Sequence, residues 1–124
     1  MPHTPNRVVT VEVDVTAAPG GTVTIACTPS PAAIVKGTKN ALLVFTLNTT
    51  GYRFPLSNAI SLDQEVDDFP FHSWTITNTQ AALYDRNNIA DTFNYTVTVI
   101  NTTTGQEYSI DPEIQNGGGN TGGD

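Results

Sequence analysis

The chain has 124 residues, and its five Lys and Arg against twelve Asp and Glu give a formal net charge of −7. This balance argues against nucleic acid and anionic membrane surfaces as partners, because both require clustered cations, and it leaves cations or a basic partner. The length predicts one domain over residues 1–116, followed by a flexible Gly-rich tail over residues 117–124.

No segment of the sequence indicates secretion or a membrane span. The first residues lack the basic start and the apolar core of a signal peptide, and no apolar run approaches the roughly 18 residues that a spanning helix needs. Cys27 is the only cysteine, so no intrachain disulfide forms. We therefore expect a cytoplasmic location and a Cys27 side chain that packs in the core.

Alternation of apolar and polar residues predicts the first strands. Residues 8–15 place four valines on one face, and residues 22–27 repeat the pattern after a turn at residues 18–21. These two strands are expected to pair in one sheet. Residues 41–47 are apolar on both faces, which predicts a central strand that is covered more fully than the rest.

Short strand pieces follow around a proline. Residues 52–54 and 59–62 fit strands, and Pro55 between them predicts a break because proline lacks the N–H that a strand ladder needs. An acidic loop over residues 63–69 comes next.

The C-terminal half continues with short strands. Residues 72–77 and 81–85 fit two of them, and residues 93–100 and 106–110 fit a hairpin with a Thr-Gly turn. No segment keeps a helical period over three turns. The chain is therefore predicted to be all-β.

Asp91 and Tyr95 refine this fold class. Asp91 stands four residues before Tyr95 at the start of an alternating strand, which is the spacing of the tyrosine corner of immunoglobulin-like sandwiches. The corner predicts a hydrogen bond from the Tyr95 hydroxyl to a nearby backbone group. We expect an immunoglobulin-like β-sandwich of seven to nine strands. The predicted core positions are Val11, Val13, Val23, Ile25, Leu43, Phe45, Trp74, Ile76, Leu83, Tyr95, Val97 and Val99.

Three segments of the C-terminal third resemble a known family. They read LYDRN at residues 83–87, FNYTVTV at 93–99 and IDPEIQNG at 110–117. The set looks like the DP-EP family of small bacterial proteins. It resembles more distantly the AidA/PixA family of inclusion-body proteins, whose strand enters an Asp-Pro-x-Ile-x-Asn end. The resemblance implies a compact β-sandwich and offers no activity to carry over, while the AidA/PixA likeness hints at self-association.

A loop between two predicted strands has some features of a calcium site. Asp85, Asn87 and Asp91 are spaced like the first half of a calcium loop, although the loop lacks the glycine at position six and the Glu at position twelve. The alternative is an Asx-rich turn whose side chains bond their own backbone.

The acidic loop offers the other candidate cation ligands, Asp63, Asp67 and Asp68, with Glu65 between them. Because these carboxylates repel one another, a cation or a basic partner would relieve them, and the alternative is a solvated loop at the edge of the sandwich. If the two acidic loops lie at the same end of the fold, the case for calcium gains.

Two further groups have a structural and a functional interpretation. Pro112 removes a ladder donor and forces Asp111 out of helical geometry, which favours a role in locking the chain end, with Ile114 packed on the core. Phe71, His72 and Trp74 are candidates for a binding rim, and the alternative places Trp74 in the core.

Catalysis has little support in the sequence. His72 is the one candidate base outside the N-terminal residues, and no Ser, Thr or Cys is marked as a nucleophile. We therefore expect a non-enzymatic protein without a cofactor, calcium excepted. Strand edges rich in Thr and Val predict an interaction or self-assembling protein with a protein partner, and the alternative is a calcium- or carbohydrate-binding module.

Overall fold

The computed structural model describes residues 7–34, 40–63 and 66–117. Two mixed sheets pack as a β-sandwich, which confirms the all-β fold. The described ranges hold eleven strands, more than the seven to nine predicted, because several short pieces pair separately. The strands are β1 (Arg7–Ala17), β2 (Val23–Thr28), β3 (Ala32–Ile34), β4 (Ala41–Leu47), β5 (Tyr52–Arg53), β6 (Ile60–Leu62), β7 (Trp74–Thr77), β8 (Gln80–Asp85), β9 (Ala90–Asn101), β10 (Glu107–Ile110) and β11 (Glu113–Gly117).

The chain end differs slightly from the prediction. Gly117 closes β11 rather than opening a tail, and the remainder of the predicted tail, residues 118–124, lies outside the described residues. In the ranges that the structure describes, no helix has the length and the apolar character to cross a membrane.

The first sheet has the strand order β2-β1-β4-β8-β7. β1 and β2 pair antiparallel, as predicted, and β1 pairs parallel with β4 on its other side. β4 lies at the centre of the sheet. Its inward residues Leu43, Phe45 and Leu47 are buried, and Leu42 and Val44 on the outward face are half-buried. This pattern confirms that the residues apolar on both faces form a central strand.

The second sheet is built around the long strand β9. β11 and then β10 pair along one edge of β9, while β6 and then β5 pair along the other, and β3 joins the far side of β11. Each edge is interrupted at a proline, Pro55 between β5 and β6 and Pro112 between β10 and β11. Proline cannot donate to a ladder, so the predicted break at Pro55 is confirmed.

The core lies between the inward faces of the two sheets. Most of the predicted core positions are buried, and Val23 is half-buried. The buried positions are Val11, Val13, Ile25, Leu43, Phe45, Leu83, Tyr95, Val97 and Val99.

The predicted core positions of Trp74 and Ile76 are wrong. Both lie on the edge strand β7, where Trp74 is 44% exposed and Ile76 is 50% exposed. Trp74 pairs with Ala82, so its side chain leaves the sheet on the outward face, and the pairing is irregular between Thr75 and Thr77. Trp74 and Ile76 are two residues apart and both exposed, so the alternation holds but in the phase opposite to the predicted one. Residue types alone did not indicate which face of this edge strand meets the core.

The predicted tyrosine corner is also wrong. β9 begins at Ala90, so Asp91 lies inside the β9–β11 ladder opposite Asn116, and its Oδ1 accepts a hydrogen bond from Thr92 N at 2.8 Å. Tyr95 is fully buried with its ring centroid 5.6 Å from that of Phe45, and its hydroxyl bonds no backbone group and has only the Cys27 thiol as an interacting polar neighbour among the described residues. Burial and the neighbouring Cys27 raise the pKa of Tyr95 above its usual range.

Cys27 is a buried free thiol, as predicted. Burial is the main cause that raises its pKa to about 11. Since the thiolate is the reactive form, the folded protein holds this cysteine in an inert state at neutral pH.

A substitution at Tyr95 distinguishes a role in core packing from a role in a tyrosine corner, where the hydroxyl would bond the backbone. Tyr95→Phe removes a hydroxyl that bonds no backbone group, so we expect urea denaturation to show no loss of unfolding free energy and a gain of up to about 1 kcal/mol. Tyr95→Ala is the control, and its cavity should cost roughly 3–5 kcal/mol. A loss above roughly 1.5 kcal/mol for Tyr95→Phe would mean that the hydroxyl is bonded in solution.

Cys27 should react slowly while the protein is folded. With its pKa at about 11 against an ordinary 9.0, the thiolate fraction at pH 8 falls about a hundredfold. The measurement is the rate of reaction with Ellman's reagent, in buffer and in denaturing urea. Equal rates in the two solutions would contradict the burial of this thiol.

Candidate functional site

Four polar side chains are buried where the two sheets meet. They are Asp68 from the loop before β7, Asp85 at the end of β8, Asn87 in the following loop and Asn116 in β11. We refer to these four residues as the polar cluster. Since β8 and β11 belong to different sheets, the cluster joins the two layers of the sandwich.

The Asn116 amide links the two carboxylates. Its Nδ2 donates to Asp68 Oδ2 and to Asp85 Oδ1, each at 2.9 Å. Asn116 faces inward because it follows the buried Ile114 by two residues in β11. One amide nitrogen thus lies between two buried acidic groups.

Asp68 holds the loop that follows β8. Its Oδ1 accepts from Asn88 N at 3.0 Å and its Oδ2 from Ile89 N at 2.9 Å, while Arg86 N donates to its backbone carbonyl at 2.8 Å. The acidic loop and the loop after Asp85 therefore do lie at the same end of the fold, the arrangement in which the sequence favours calcium.

Asp85 organises its own loop in the manner of an Asx turn. Its Oδ1 accepts a hydrogen bond from Asn87 N at 2.8 Å, and Asn87 adopts a positive φ of 56°. Asn tolerates this left-handed conformation better than most residues. The turn alternative for this loop is thus realised, and the same carboxylate also belongs to the polar cluster.

The polar cluster contains two buried carboxylates, Asp68 and Asp85, and no basic side chain among the described residues forms an ion pair with them. Burial raises the pKa of Asp85 to about 6, hydrogen bonds from Asn116 and Asn87 lower it, and the charge of Asp68 raises it. Asp85 Oδ2 and Asn116 Oδ1 are buried without a hydrogen-bond partner. Buried polar atoms are normally paired, so these two oxygens are the unsatisfied acceptors of the polar cluster.

The other predicted cation ligands lie apart from the polar cluster. Asp63, Asp67 and Asp91 are exposed, and Asp63 Oδ1 is 3.4 Å from the donor Thr96 Oγ1. In the described ranges, no three His, Cys, Asp or Glu side chains form a group that could hold a metal ion. The two buried carboxylates are linked instead by the amide of Asn116, which sequence reasoning did not include although its inward position in β11 follows from Ile114.

The predicted binding rim is divided between two surfaces. Phe71 and His72 line a groove of about 890 Å³, together with Asp63, Asp67 and Arg86. Trp74 does not line this groove and lies on the outward face of the first sheet. The predicted rim is therefore split: His72 lies in the groove, Trp74 lies on the outward face, and Phe71, whose ring is beside Tyr84, borders both surfaces.

The outward face of the first sheet is apolar over four strands. One row of paired residues runs Val8, Leu42, Tyr84 and the next runs Thr10, Val44, Ala82, Trp74. The ring of Phe71 lies 5.8 Å from that of Tyr84 and extends the first row. We name the surface of Val8, Leu42, Val44, Phe71, Trp74 and Tyr84 the aromatic face.

Asp111 and Pro112 have structural contacts. Asp111 Oδ1 accepts from Thr96 Oγ1 at 2.8 Å, and the Pro112 carbonyl accepts from Tyr95 N at 3.0 Å. Ile114 is fully buried. These contacts fasten the segment between β10 and β11 onto β9, in agreement with the predicted locking role.

No protein-family model and no curated protein matches the sequence of this chain. The likeness to the DP-EP and AidA/PixA families therefore stays a prediction.

The three hydrogen bonds that the Asp68 carboxylate accepts should contribute strongly to the stability of the fold. Asp68→Ala leaves three N–H donors without their acceptor, and we expect urea denaturation to show a loss of roughly 3 kcal/mol. Asp67→Ala is the matched control, because its exposed neighbouring carboxylate makes no such bonds, and it should change stability by less than about 0.5 kcal/mol. Equal losses of unfolding free energy for the two substitutions would contradict a stabilising role of the Asp68 hydrogen bonds.

Proposed function

We propose that this protein is a non-catalytic interaction protein and that a protein partner binds to its aromatic face. The observation that supports this proposal is the exposure of large apolar side chains on that face. Val8 is 57% exposed and Phe71 is 61% exposed, and the single tryptophan of the chain lies there too. Exposed apolar patches rimmed by polar residues commonly mark interaction sites.

Charge favours a basic partner over a second copy of the chain. Glu12 and Asp14 are exposed on the outward side of β1, on the same side of the sheet as Val8, and Asp67 lies in the groove beside Phe71. A net charge of −7 makes two copies repel each other. A partner segment with Lys or Arg around an apolar residue complements both the apolar and the acidic parts of this surface.

Strand addition at β7 is less favourable than contact through side chains. Ser57 forms a bridge with Trp74 on the outer edge of β7, and Phe54 N donates to Asn78 O at 2.8 Å just beyond the strand. The irregular pairing at Thr75 and Thr77 twists the same edge. Covered and bulged edges are poor templates for another strand.

The non-catalytic part of the proposal is supported by the surroundings of His72, the one candidate base that the sequence offered outside the N-terminal residues. His72 is exposed, and in the described part of the chain it makes no hydrogen bond to a hydroxyl, a thiol or a carboxylate. A base that acts on a nucleophile needs such a contact. The immunoglobulin-like classification and the DP-EP likeness remain part of the proposal, supported by the sandwich and by the Asp-Pro segment that fastens onto β9.

Binding to the aromatic face can be followed through Trp74, the only tryptophan. We expect a short peptide of alternating Lys and Leu to shift Trp74 emission to the blue, because the peptide removes the indole from water. Peptides of alternating Lys and Ser or alternating Glu and Leu are matched probes, and both should bind at least tenfold more weakly, which corresponds to about 1.4 kcal/mol.

Variants separate the aromatic face from the groove. Val8→Ser changes the aromatic face alone and should weaken binding of the Lys-Leu peptide. Phe71→Ser, at the border of the face and the groove, should weaken it too, whereas Arg86→Gln in the groove should not. Equal affinity for all three peptides, or binding that resists both Ser substitutions, would overturn the proposal. A response to a panel of sugars but to no peptide would favour the carbohydrate-binding alternative instead.

A further inference from the structure

The outer edge of β2 is a row of backbone groups without a strand partner. β2 ends the first sheet and pairs only with β1 among the described strands. Its six residues follow one unbroken register with β1, and the strand contains no proline and no charged residue. Proteins usually protect a sheet edge with prolines, lysines, bulges or a covering segment, because an unpaired edge is a template for another strand.

The hydrogen bonds of β1 determine which of its residues can bond β2. Thr49 Oγ1 accepts from Val15 N at 2.8 Å and donates to Val15 O at 3.3 Å. Asn48 N donates to Val13 O at 2.9 Å. Asn48 and Thr49 directly follow β4, so Val13 and Val15 direct these backbone groups toward β4 and away from β2.

The residues of β2 opposite these two have backbone groups that no described strand uses. In an antiparallel ladder, pairs of opposite residues that exchange two hydrogen bonds alternate with pairs that exchange none. Val13 lies opposite Cys27 and Val15 lies opposite Ile25, so both are pairs without hydrogen bonds. Alternate residues of β2 therefore direct their N–H and C=O groups to the free edge. These residues are Val23, Ile25 and Cys27.

Apolar side chains border the free edge on the core side. β10 lies next to β2 in the facing sheet. Tyr108 and Ile110 of β10 point inward, since they pair with the buried Val99 and Val97, yet both are only half-buried. Val23 is half-buried as well. A strand added to β2 would cover this apolar border with every second side chain.

Acidic side chains border the same edge on the outward side. Glu12 and Asp14 of β1 are exposed and lie opposite Thr28 and Ala26 of β2. Neighbouring strands are about 4.8 Å apart, so a residue on an added strand lies about 10 Å from Asp14, with the small Ala26 between them. The four-carbon stem of a lysine can pass over this methyl group and bring the ammonium to the carboxylate.

We propose that an extended basic segment of a partner protein adds to β2 as a sixth strand of the five-stranded first sheet. Its backbone bonds the free groups of β2, its Lys or Arg side chains extend to Glu12 and Asp14, and its alternate apolar side chains cover Tyr108 and Ile110. Charge disfavours a second copy of this chain at the edge, because two chains of net charge −7 repel each other. This surface is separate from the aromatic face, since Trp74 lies on β7 at the opposite edge of the sheet.

Hydrogen exchange of the full chain, followed by NMR, tests the added strand. We expect an excess of a peptide of alternating Lys and Val to slow exchange of the Val23, Ile25 and Cys27 amide protons at least tenfold, because these protons gain an acceptor. The amides of Thr24 and Ala26 already bond β1 and are the internal reference. Unchanged exchange at all three edge amides in excess peptide would overturn the proposal.

Methylated peptides separate strand addition from attraction by charge alone. N-methylation of every second residue blocks one edge of the peptide and leaves the other edge free. Methylation of one set, either all Val or all Lys, should therefore abolish binding in a calorimetric titration, whereas methylation of the other set should not. Equal binding of both methylated peptides would overturn the proposal, and it would leave the binding of a partner to the aromatic face unaffected.

Substitutions locate the added strand. Val23→Pro removes an outward N–H that no described strand uses, and it should weaken peptide binding at least tenfold, about 1.4 kcal/mol. Val23→Ala is the control for lost packing and should bind normally. Asp14→Asn should also weaken binding, whereas Glu113→Gln, an exposed carboxylate of the second sheet, should not. Binding that resists both Val23→Pro and Asp14→Asn would overturn the assignment to this edge.

Sedimentation of the protein without peptide tests the alternative occupant. We expect a monomer, because the net charge of −7 opposes self-association. A dimer that Val23→Pro dissociates would place a second copy of the chain at the β2 edge and would overturn the assignment of a basic partner.

Discussion

The second sheet depends on a single strand. β9 forms ladders with β11 and β10 on one edge and with β6 and β5 on the other, so four short strands are held in place by one long one. The inward residues of β9, Tyr95, Val97 and Val99, are also fully buried in the core. The registers of the surrounding strands are therefore fixed by β9, and the prolines determine where each ladder stops. This geometry brings Asn116, opposite Asp91 at the start of β9, to the polar cluster.

Burying two carboxylates costs solvation free energy. In this fold both carboxylates accept hydrogen bonds that hold separate segments of the chain together. Asp68 takes three N–H donors and holds the loop after β8, while Asp85 and Asn116 join one sheet to the other. A sandwich held by apolar contacts alone allows its layers to shift, whereas directional hydrogen bonds between layers define one alignment. The polar cluster therefore adds specificity to a core whose stability comes from apolar burial.

Much of the fold follows from alternation along the sequence. The period of two in residues 8–15 and 22–27 identifies β1, β2 and their pairing, and the doubly apolar run of 41–47 identifies the central strand. The same rule failed at Trp74 and Ile76, because residue types alone did not indicate which face of the edge strand β7 meets the core. It failed at Asp91 because the ladder with β11, a contact distant in sequence, extends β9 before the expected start of the strand.

The site was harder to predict than the fold. Asp68, Asp85 and Asn87 are conspicuous as acidic and Asx residues in turn-like segments, and the structure does bring them together. Asn116 lies in the segment that the sequence predicts to lock the chain end. It bonds Asp68, which is 48 residues away along the chain. Only the position of β11 beside β9 shows that its inward amide meets the two carboxylates.

The parallel pairing of β3 with β11 has a consequence for the synthesis of the protein on the ribosome. β3 has no other partner strand among the described residues, and β11 is the last of the described strands in chain order. Until it emerges, β3 has no ladder, the open edge of β9 is exposed, and Asp68 and Asp85 lack the amide between them. The nascent chain therefore completes its second layer only when translation has passed β11, and during that interval its unpaired edges are surfaces that chaperones would protect.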